Sequence, residues 1–228
     1  MWIKICGITN PGDALSAAQA GASALGLNFY PRSKRLLAAA AAADLIRDLR
    51  NHMERSEIAL PEFVGVFVNA DTSDVVRIVR EVGLNTVQFH GEESIEDIAE
   101  FQRRLPRCRV IRALRVTVDS MPQAMELLDA LVSEVAISAC LLDAFVAGEY
   151  GGTGQTIDRR LPDLYFQRSR PPLIVAGGLT PENVAQVACD NRIWGVDTAS
   201  GVEVSPGQKD PERVRMFVQA ALAASRTP

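Results

Sequence analysis

The chain has 228 residues and a net charge of −4, with 47% apolar and 23% charged residues. That length fits one large α/β barrel or two small domains, and the apolar share is enough for a sizeable core. No Lys/Arg block marks a nucleic-acid surface, no apolar run reaches the ~18 residues that cross a membrane, and 2 histidines are too few for a histidine-rich metal centre.

In chain order, residues 3–6 read as a first strand. Asn10-Pro11 then opens a helix with an N-cap and a proline in its first turn. Residues 24–29 form the second strand, the alanine run 38–43 starts a helix, and 51–62 read as an extended helix end plus loop. Strand 63–68 precedes a helix capped by Asp71 or Thr72, running through Val82 and stopped by Gly83. Strands 86–90, 109–114 and 136–143 follow; the sixth helical unit is the weakest, with only 158–164 available. Strand 173–176 leads to a helix start at Thr180-Pro181-Glu182, and 194–197 is the last strand. Asp210-Pro211-Glu212 opens the final helix, which carries Val214, Phe217, Val218 and Leu222 at helical spacing.

The strand runs are rich in Val, Ile, Leu and Phe, as strands covered on both faces should be. Strands alternating with helices imply βαβ units and a parallel sheet. Eight such units in this length favour a single (β/α)8 TIM barrel over residues 1–228, with an open sheet of six or seven strands as the alternative.

A barrel of this kind works at the C-terminal ends of its strands. The tips are Cys6-Gly7, residues 29–35, Asn69, His90-Gly91, Arg115, Asp143, Gly177-Gly178 and residues 197–201. Alternation along a strand puts Lys4 on the face of Cys6 and Gln88 on that of His90. Lys4 is expected to be ion-paired inside the barrel; the functional alternative is that its charge favours a Cys6 thiolate. Gly177, Gly178, Ser200 and Gly201 sit where barrels commonly bind phosphate, since glycine lets backbone N–H groups approach an anion. Gly151-Gly152-Thr153-Gly154 is either a flexible loop or a lid that excludes water. Cys6 and Asp143, on separate strands, are the acid–base candidates. A thiol must ionise to act as a base, and an aspartic acid needs burial or a like charge to stay protonated. Cys108, Cys140 and Cys189 read as small buried hydrophobes. The N-terminus has no basic region followed by a long apolar run, so a cytoplasmic protein with reduced thiols is expected.

Lys4-Ile5-Cys6-Gly7-Ile8-Thr9 resembles the opening motif of the phosphoribosylanthranilate isomerases of tryptophan biosynthesis. So do Phe29-Tyr30-Pro31 with Ser33-Lys34-Arg35, and Val64-Gly65-Val66-Phe67-Val68-Asn69. The resemblance continues through Val87-Gln88-Phe89-His90-Gly91-Glu92, Leu141-Leu142-Asp143 and Gly151-Gly152-Thr153-Gly154. It closes with Gly177-Gly178-Leu179-Thr180-Pro181-Glu182-Asn183-Val184, Val196-Asp197 and Ser200-Gly201-Val202-Glu203. It implies an Amadori rearrangement of N-(5-phosphoribosyl)anthranilate to 1-(2-carboxyphenylamino)-1-deoxyribulose 5-phosphate. By that resemblance Asp143 is the general acid and Cys6 the general base. Arg35 anchors the anthranilate carboxylate, the backbone at Gly177, Gly178, Ser200 and Gly201 holds phosphate, and His90 and Asp197 line the site. It implies a small phosphorylated substrate, no cofactor or metal, no nucleic-acid or membrane partner, and a monomer or homodimer.

The chain departs from the family pattern at Ile157-Asp158-Arg159, where Phe-Asp-Trp is common, at Ala199, where serine is common, and in the length of 51–62. A sister sugar-phosphate barrel is the second enzyme reading. An epimerase would want a histidine–aspartate metal set, and an indole-forming synthase would want lysine and glutamate at the strand ends. A barrel that only binds its ligand would lack the acid or the base.

Overall fold

The computed structural model describes residues 1–56, 58–144, 158 and 160–226. Eight parallel strands close into a ring in chain order: β1 (Trp2–Cys6), β2 (Ala24–Asn28), β3 (Glu62–Phe67), β4 (Thr86–Phe89), β5 (Arg109–Val116), β6 (Ala139–Ala144), β7 (Leu173–Ala176) and β8 (Gly195–Thr198). Helices follow each strand: α1 (Pro11–Ala20), α2 (Ala39–Ser56), α3 (Thr72–Val82), α4 (Ile95–Arg104), α5 (Met121–Glu134), α6 (Arg160–Tyr165), α7 (Ala185–Ala188) and α8 (Pro211–Ser225). The open-sheet alternative is excluded by the pairing of β1 with β8, where Lys4 registers with Asp197.

Alternation sorts the side chains into two layers. Ala24, Val64, Ile111, Ala113, Ala139, Leu141, Ile174 and Ala176 form one cluster inside the ring, with Trp2 packed against it. Their neighbours along the strands, such as Ile3, Ile5, Leu25, Phe63, Phe67, Val87 and Val196, pack outward against the helices. Trp2 also stacks on Trp194 with ring centroids 5.0 Å apart. The inward parity of β1, β6 and β8 therefore carries Cys6, Asp143 and Asp197 toward the interior at the C-terminal rim.

Local chemistry explains the helix boundaries. The Asn10 side chain accepts from the Asp13 N–H at the start of α1, and Asp71 accepts from Ser73 at the start of α3. Asp210 accepts from Glu212 and Arg213 in front of α8. These bonds satisfy donors that a helix start leaves open. In α8, Val214, Phe217 and Val218 are buried as the spacing predicts. Helix α7 departs from expectation. Thr180 accepts from Glu182, and Asn183 closes on both the Thr180 N–H and the Gly178 carbonyl. This knot holds 181–184 in turns and delays the helix to Ala185. Two features escape the sequence pattern: a single 3-10 turn, Ser200–Val202, and an antiparallel ribbon of β9 (Glu203–Ser205) and β10 (Gln208–Lys209).

One buried ion pair braces the rim. Arg112 and Glu93, with side chains 4% and 3% exposed, lie 2.6 Å apart. Arg112 also donates to the Gly91 carbonyl, while Glu93 accepts from the Gly91 and Asn69 N–H groups. Removing one partner of a buried pair leaves an uncompensated charge. Arg112→Met should lower unfolding free energy by about 3 kcal/mol in denaturant titration; a change within the ~0.5 kcal/mol typical of surface substitutions would contradict this bracing role.

Candidate active site

The site is built from strand tips on one rim. At its base lies Lys4, fully buried, whose Nζ donates to Asp197 Oδ1 at 2.9 Å. This is the ion pair expected inside the barrel. Burial alone would lower the Lys4 pKa, but the charges of Asp197 and Cys6 and hydrogen bonding to both prevail and raise it. Its charge thus faces the sulfur as well as the carboxylate. A Cβ on Gly26 would press on both Cys6 Sγ and Lys4 Cε, so the glycine leaves the room these two groups occupy.

Asp143 ends β6 with its Oδ2 3.3 Å from His90 Nε2. His90 Nδ1 lies 2.9 Å from Gln88 Nε2. The 3.3 Å contact lacks hydrogen-bond alignment, so His90 Nε2 and Gln88 Oε1 are buried without a hydrogen-bond partner among the described residues. Burial favours the neutral carboxyl of Asp143, but the interaction with His90 and the charges of His90, Arg115 and Lys4 prevail and hold its pKa below the ordinary value. Without substrate the neighbouring positive charges win, and the group is a carboxylate at neutral pH.

Arg35 reaches the same rim from the loop after β2. Gly7 turns with φ +76°, and a Cβ there would overlap Arg35 Cδ, so the arginine stem lies across the residue next to Cys6. The guanidinium is not free. Its Nε donates to Glu203 Oε1 at 2.8 Å and its Nη2 to Oε2 at 2.6 Å. Glu203 also takes an ion pair from Lys209 Nζ at 2.9 Å. Burial disfavours the Glu203 carboxylate, but Arg35 and Lys209 outweigh it and keep its pKa low. Sequence reasoning assigned no role to Glu203 or Lys209. Lys209 is fully buried in a two-residue strand, and nothing in its local pattern separates it from a solvated lysine.

The two glycine-bearing loops pack together, Thr198 Oγ1 donating to the Leu179 carbonyl at 2.7 Å. The backbone N–H groups of Gly178, Ser200 and Gly201 donate to no acceptor among the described residues. They are donors available to an anion, although the helix start expected just beyond Gly178 comes later, at Ala185. Gly151, Gly152, Thr153 and Gly154, and the departures at Ile157 and Arg159, lie outside the described residues.

Among the other cysteines, Cys108 and Cys140 are buried, and burial pushes their thiols up to about 11 and about 12. Cys189 is exposed, contrary to expectation: it sits at the C-terminal end of the four-residue α7, where its thiol donates to the Gln186 carbonyl at 3.4 Å. Among the described residues no cluster of His, Cys, Asp and Glu groups could hold a metal ion.

Residues 3–220 match the family model for N-(5'phosphoribosyl)anthranilate (PRA) isomerase. The N-(5'-phosphoribosyl)anthranilate isomerase of Neisseria gonorrhoeae is 41% identical over 226 residues, 98% of this chain and 97% of that one. The crystal structure of the Thermotoga maritima isomerase superposes with a TM-score of 0.83 at 36% identity, covering 98% of this chain and 99% of that one. A second solved isomerase, in complex with reduced 1-(o-carboxyphenylamino)-1-deoxyribulose 5-phosphate, gives a TM-score of 0.77 at 32% identity, covering 98% and 99%.

The depressed Asp143 pKa has a checkable consequence. A group lowered on folding contributes stability above its unfolded pKa of ~3.9, and that contribution is lost as pH falls through the lower folded value. Carbon-13 NMR of ligand-free protein should show Asp143 titrating below ~3.9, and His90→Gln should move the midpoint upward because the largest interaction opposing burial is then removed. An unmoved or lowered midpoint would remove His90 from this role.

Proposed function

The chain belongs to the N-(5'-phosphoribosyl)anthranilate isomerase family, and on that footing we propose that it converts N-(5-phosphoribosyl)anthranilate to 1-(2-carboxyphenylamino)-1-deoxyribulose 5-phosphate in tryptophan biosynthesis. The observation that carries this reading is the placement of Lys4, buried against Asp197 at 2.9 Å and sharing with Cys6 the room left by Gly26. Both reactive groups have inward parity at the C-terminal ends of their strands.

In this reading Asp143 protonates the furanose ring oxygen. The bond from that oxygen to C1′ breaks, and the anthranilate nitrogen lone pair forms the C=N bond of a Schiff base. Cys6, as thiolate, takes the proton from C2′; the electron pair left behind neutralises the iminium and gives an enolamine. Protonation at C1′, with loss of the C2′ hydroxyl proton, then yields the ketone. Each step moves only protons and electron pairs, so the side chains suffice. A base on β1 and an acid on β6 approach the sugar from different sides.

The acid must first acquire a proton, because Asp143 is ionised in the free protein. Substrate supplies the means. It displaces water and brings a phosphate and a carboxylate, and both effects favour the neutral acid. Phosphate meets the open N–H groups of Gly178, Ser200 and Gly201, while the anthranilate carboxylate meets Arg35. No helix among the described residues is long and apolar enough to cross a membrane, which fits a cytoplasmic biosynthetic enzyme.

Loss of the anthranilate-ester fluorescence of the substrate on adding purified protein tests the activity. No change at high protein concentration would overturn it. Cys6→Ala and Asp143→Asn should each lower kcat by at least ~100-fold, the usual share of one acid or base, while leaving product-analogue binding nearly intact. Arg35→Ala should act mainly on KM. Full turnover in either of the first two variants would remove that residue from the chemistry.

A further inference from the structure

Arg35 poses a problem for the reading just given. A guanidinium already paired with a carboxylate is, as a pair, neutral, and should attract a second carboxylate only weakly. The surroundings resolve this. Glu203 engages one edge of the guanidinium, Nε and Nη2. The end formed by Nη1 and the outer Nη2 proton stays open, and Nη1 has no partner among the described residues. That end is the second bidentate face of the fork. Lys209 completes the count. Its ammonium, with no exposed surface, pairs with Glu203, so Arg35, Glu203 and Lys209 together carry one net positive charge at the rim.

The lysine also fixes the reference frame. Besides Glu203, Nζ donates to the Cys6 carbonyl at 2.6 Å and to the Ala199 carbonyl at 3.0 Å, which uses all three protons. One buried ammonium thereby ties the residue of the base, the loop before Ser200-Gly201 and the carboxylate that grips Arg35. Glu203 is locked as well: Oε1 accepts from Arg35, Lys209 and the Gly207 N–H, and its side chain is 4% exposed.

We propose that Glu203, charge-compensated by Lys209, is a positioning residue that presents the open end of Arg35 to the aromatic carboxylate of the substrate. This rests on the substrate assignment above. Glu203 touches no substrate atom; it acts through Arg35. Orienting a planar fork in advance removes the entropic cost of aligning it on binding, and the net charge of the trio supplies the attraction.

The test compares two product analogues by calorimetry: reduced 1-(o-carboxyphenylamino)-1-deoxyribulose 5-phosphate and its phenylamino counterpart without the ring carboxylate. Wild-type protein should bind the first more tightly. Glu203→Gln puts an amide N–H against the donors of Arg35. It should weaken the carboxylate-bearing analogue about tenfold although the net charge of the trio rises, because the fork is no longer held in place, and leave its counterpart unchanged. In an Arg35→Ala background the same change should have no further effect on that difference. An equal loss for both analogues, no loss for either, or an undiminished effect without Arg35 would overturn the proposal. If wild type discriminates and Glu203→Gln discriminates equally, only this proposal falls. If wild type does not discriminate, the carboxylate assignment of Arg35 falls and takes the proposal with it. Should Glu203→Gln fail to fold by circular dichroism, Glu203→Asp keeps the charge but shortens the reach. It should show a smaller loss confined to the carboxylate-bearing analogue, and an equal loss for both would overturn the proposal.

Discussion

A lysine with no exposed surface sits at the centre of the ring, 2.9 Å from Asp197. Burying an ammonium is costly unless a partner is fixed beside it. The barrel meets that condition through register: β1 lies against β8 with Lys4 opposite Asp197, and both side chains have inward parity. Below the pair the interior is Ala24, Val64, Ile111, Ala139, Leu141 and Ile174. Above it are Cys6, His90 and Asp143. The pair closes the ring between β1 and β8, and Lys4 adds to the positive field on Asp143.

That field organises the carboxylates of the rim. Asp197 has Lys4, Asp143 has His90, Arg115 and Lys4, and Glu203 has Arg35 and Lys209. At Asp143 and Glu203 these partners outweigh burial, so without substrate both stay ionised, whereas at Asp197 burial outweighs Lys4 and raises the pKa. A substrate carrying two anionic groups must find charge and donors that this internal pairing leaves over. The remaining resources are the open end of Arg35 and the N–H groups of Gly178, Ser200 and Gly201. Arrival of those anions in a drying site is also what turns a carboxylate into an acid. In the proposed reading the acid is therefore conditional on the ligand it acts on.

Much of this was legible in the chain itself. Strands covered on both faces leave short apolar runs, and caps such as Asn10, Asp71 and Asp210 announce helices whatever the tertiary context. The period of two along a strand placed Lys4 with Cys6 on one face and foretold an interior ion pair. Other features depend on partners far away in sequence. The ribbon of β9 and β10 spans three and two residues, too few for a periodic signal. Lys209 is buried because Cys6, Ala199 and Glu203 converge on it. Helix α7 starts late because Asn183 spends its amide on the loop before it. The direction of the Asp143 pKa depends on Lys4 from β1, Arg115 from β5 and His90 just beyond β4, and isolated burial would have given the opposite sign.

The central claim is that one ligand is approached by a sulfur from β1 and a carboxylate from β6. A crystal structure of this chain with the reduced product analogue tests that most directly. The account predicts Cys6 Sγ in van der Waals contact with the carbon equivalent to C2′, and an Asp143 oxygen within ~3.2 Å of the oxygen equivalent to the ring oxygen. An analogue seated at the rim with either group turned away, its place taken by another side chain, would contradict it.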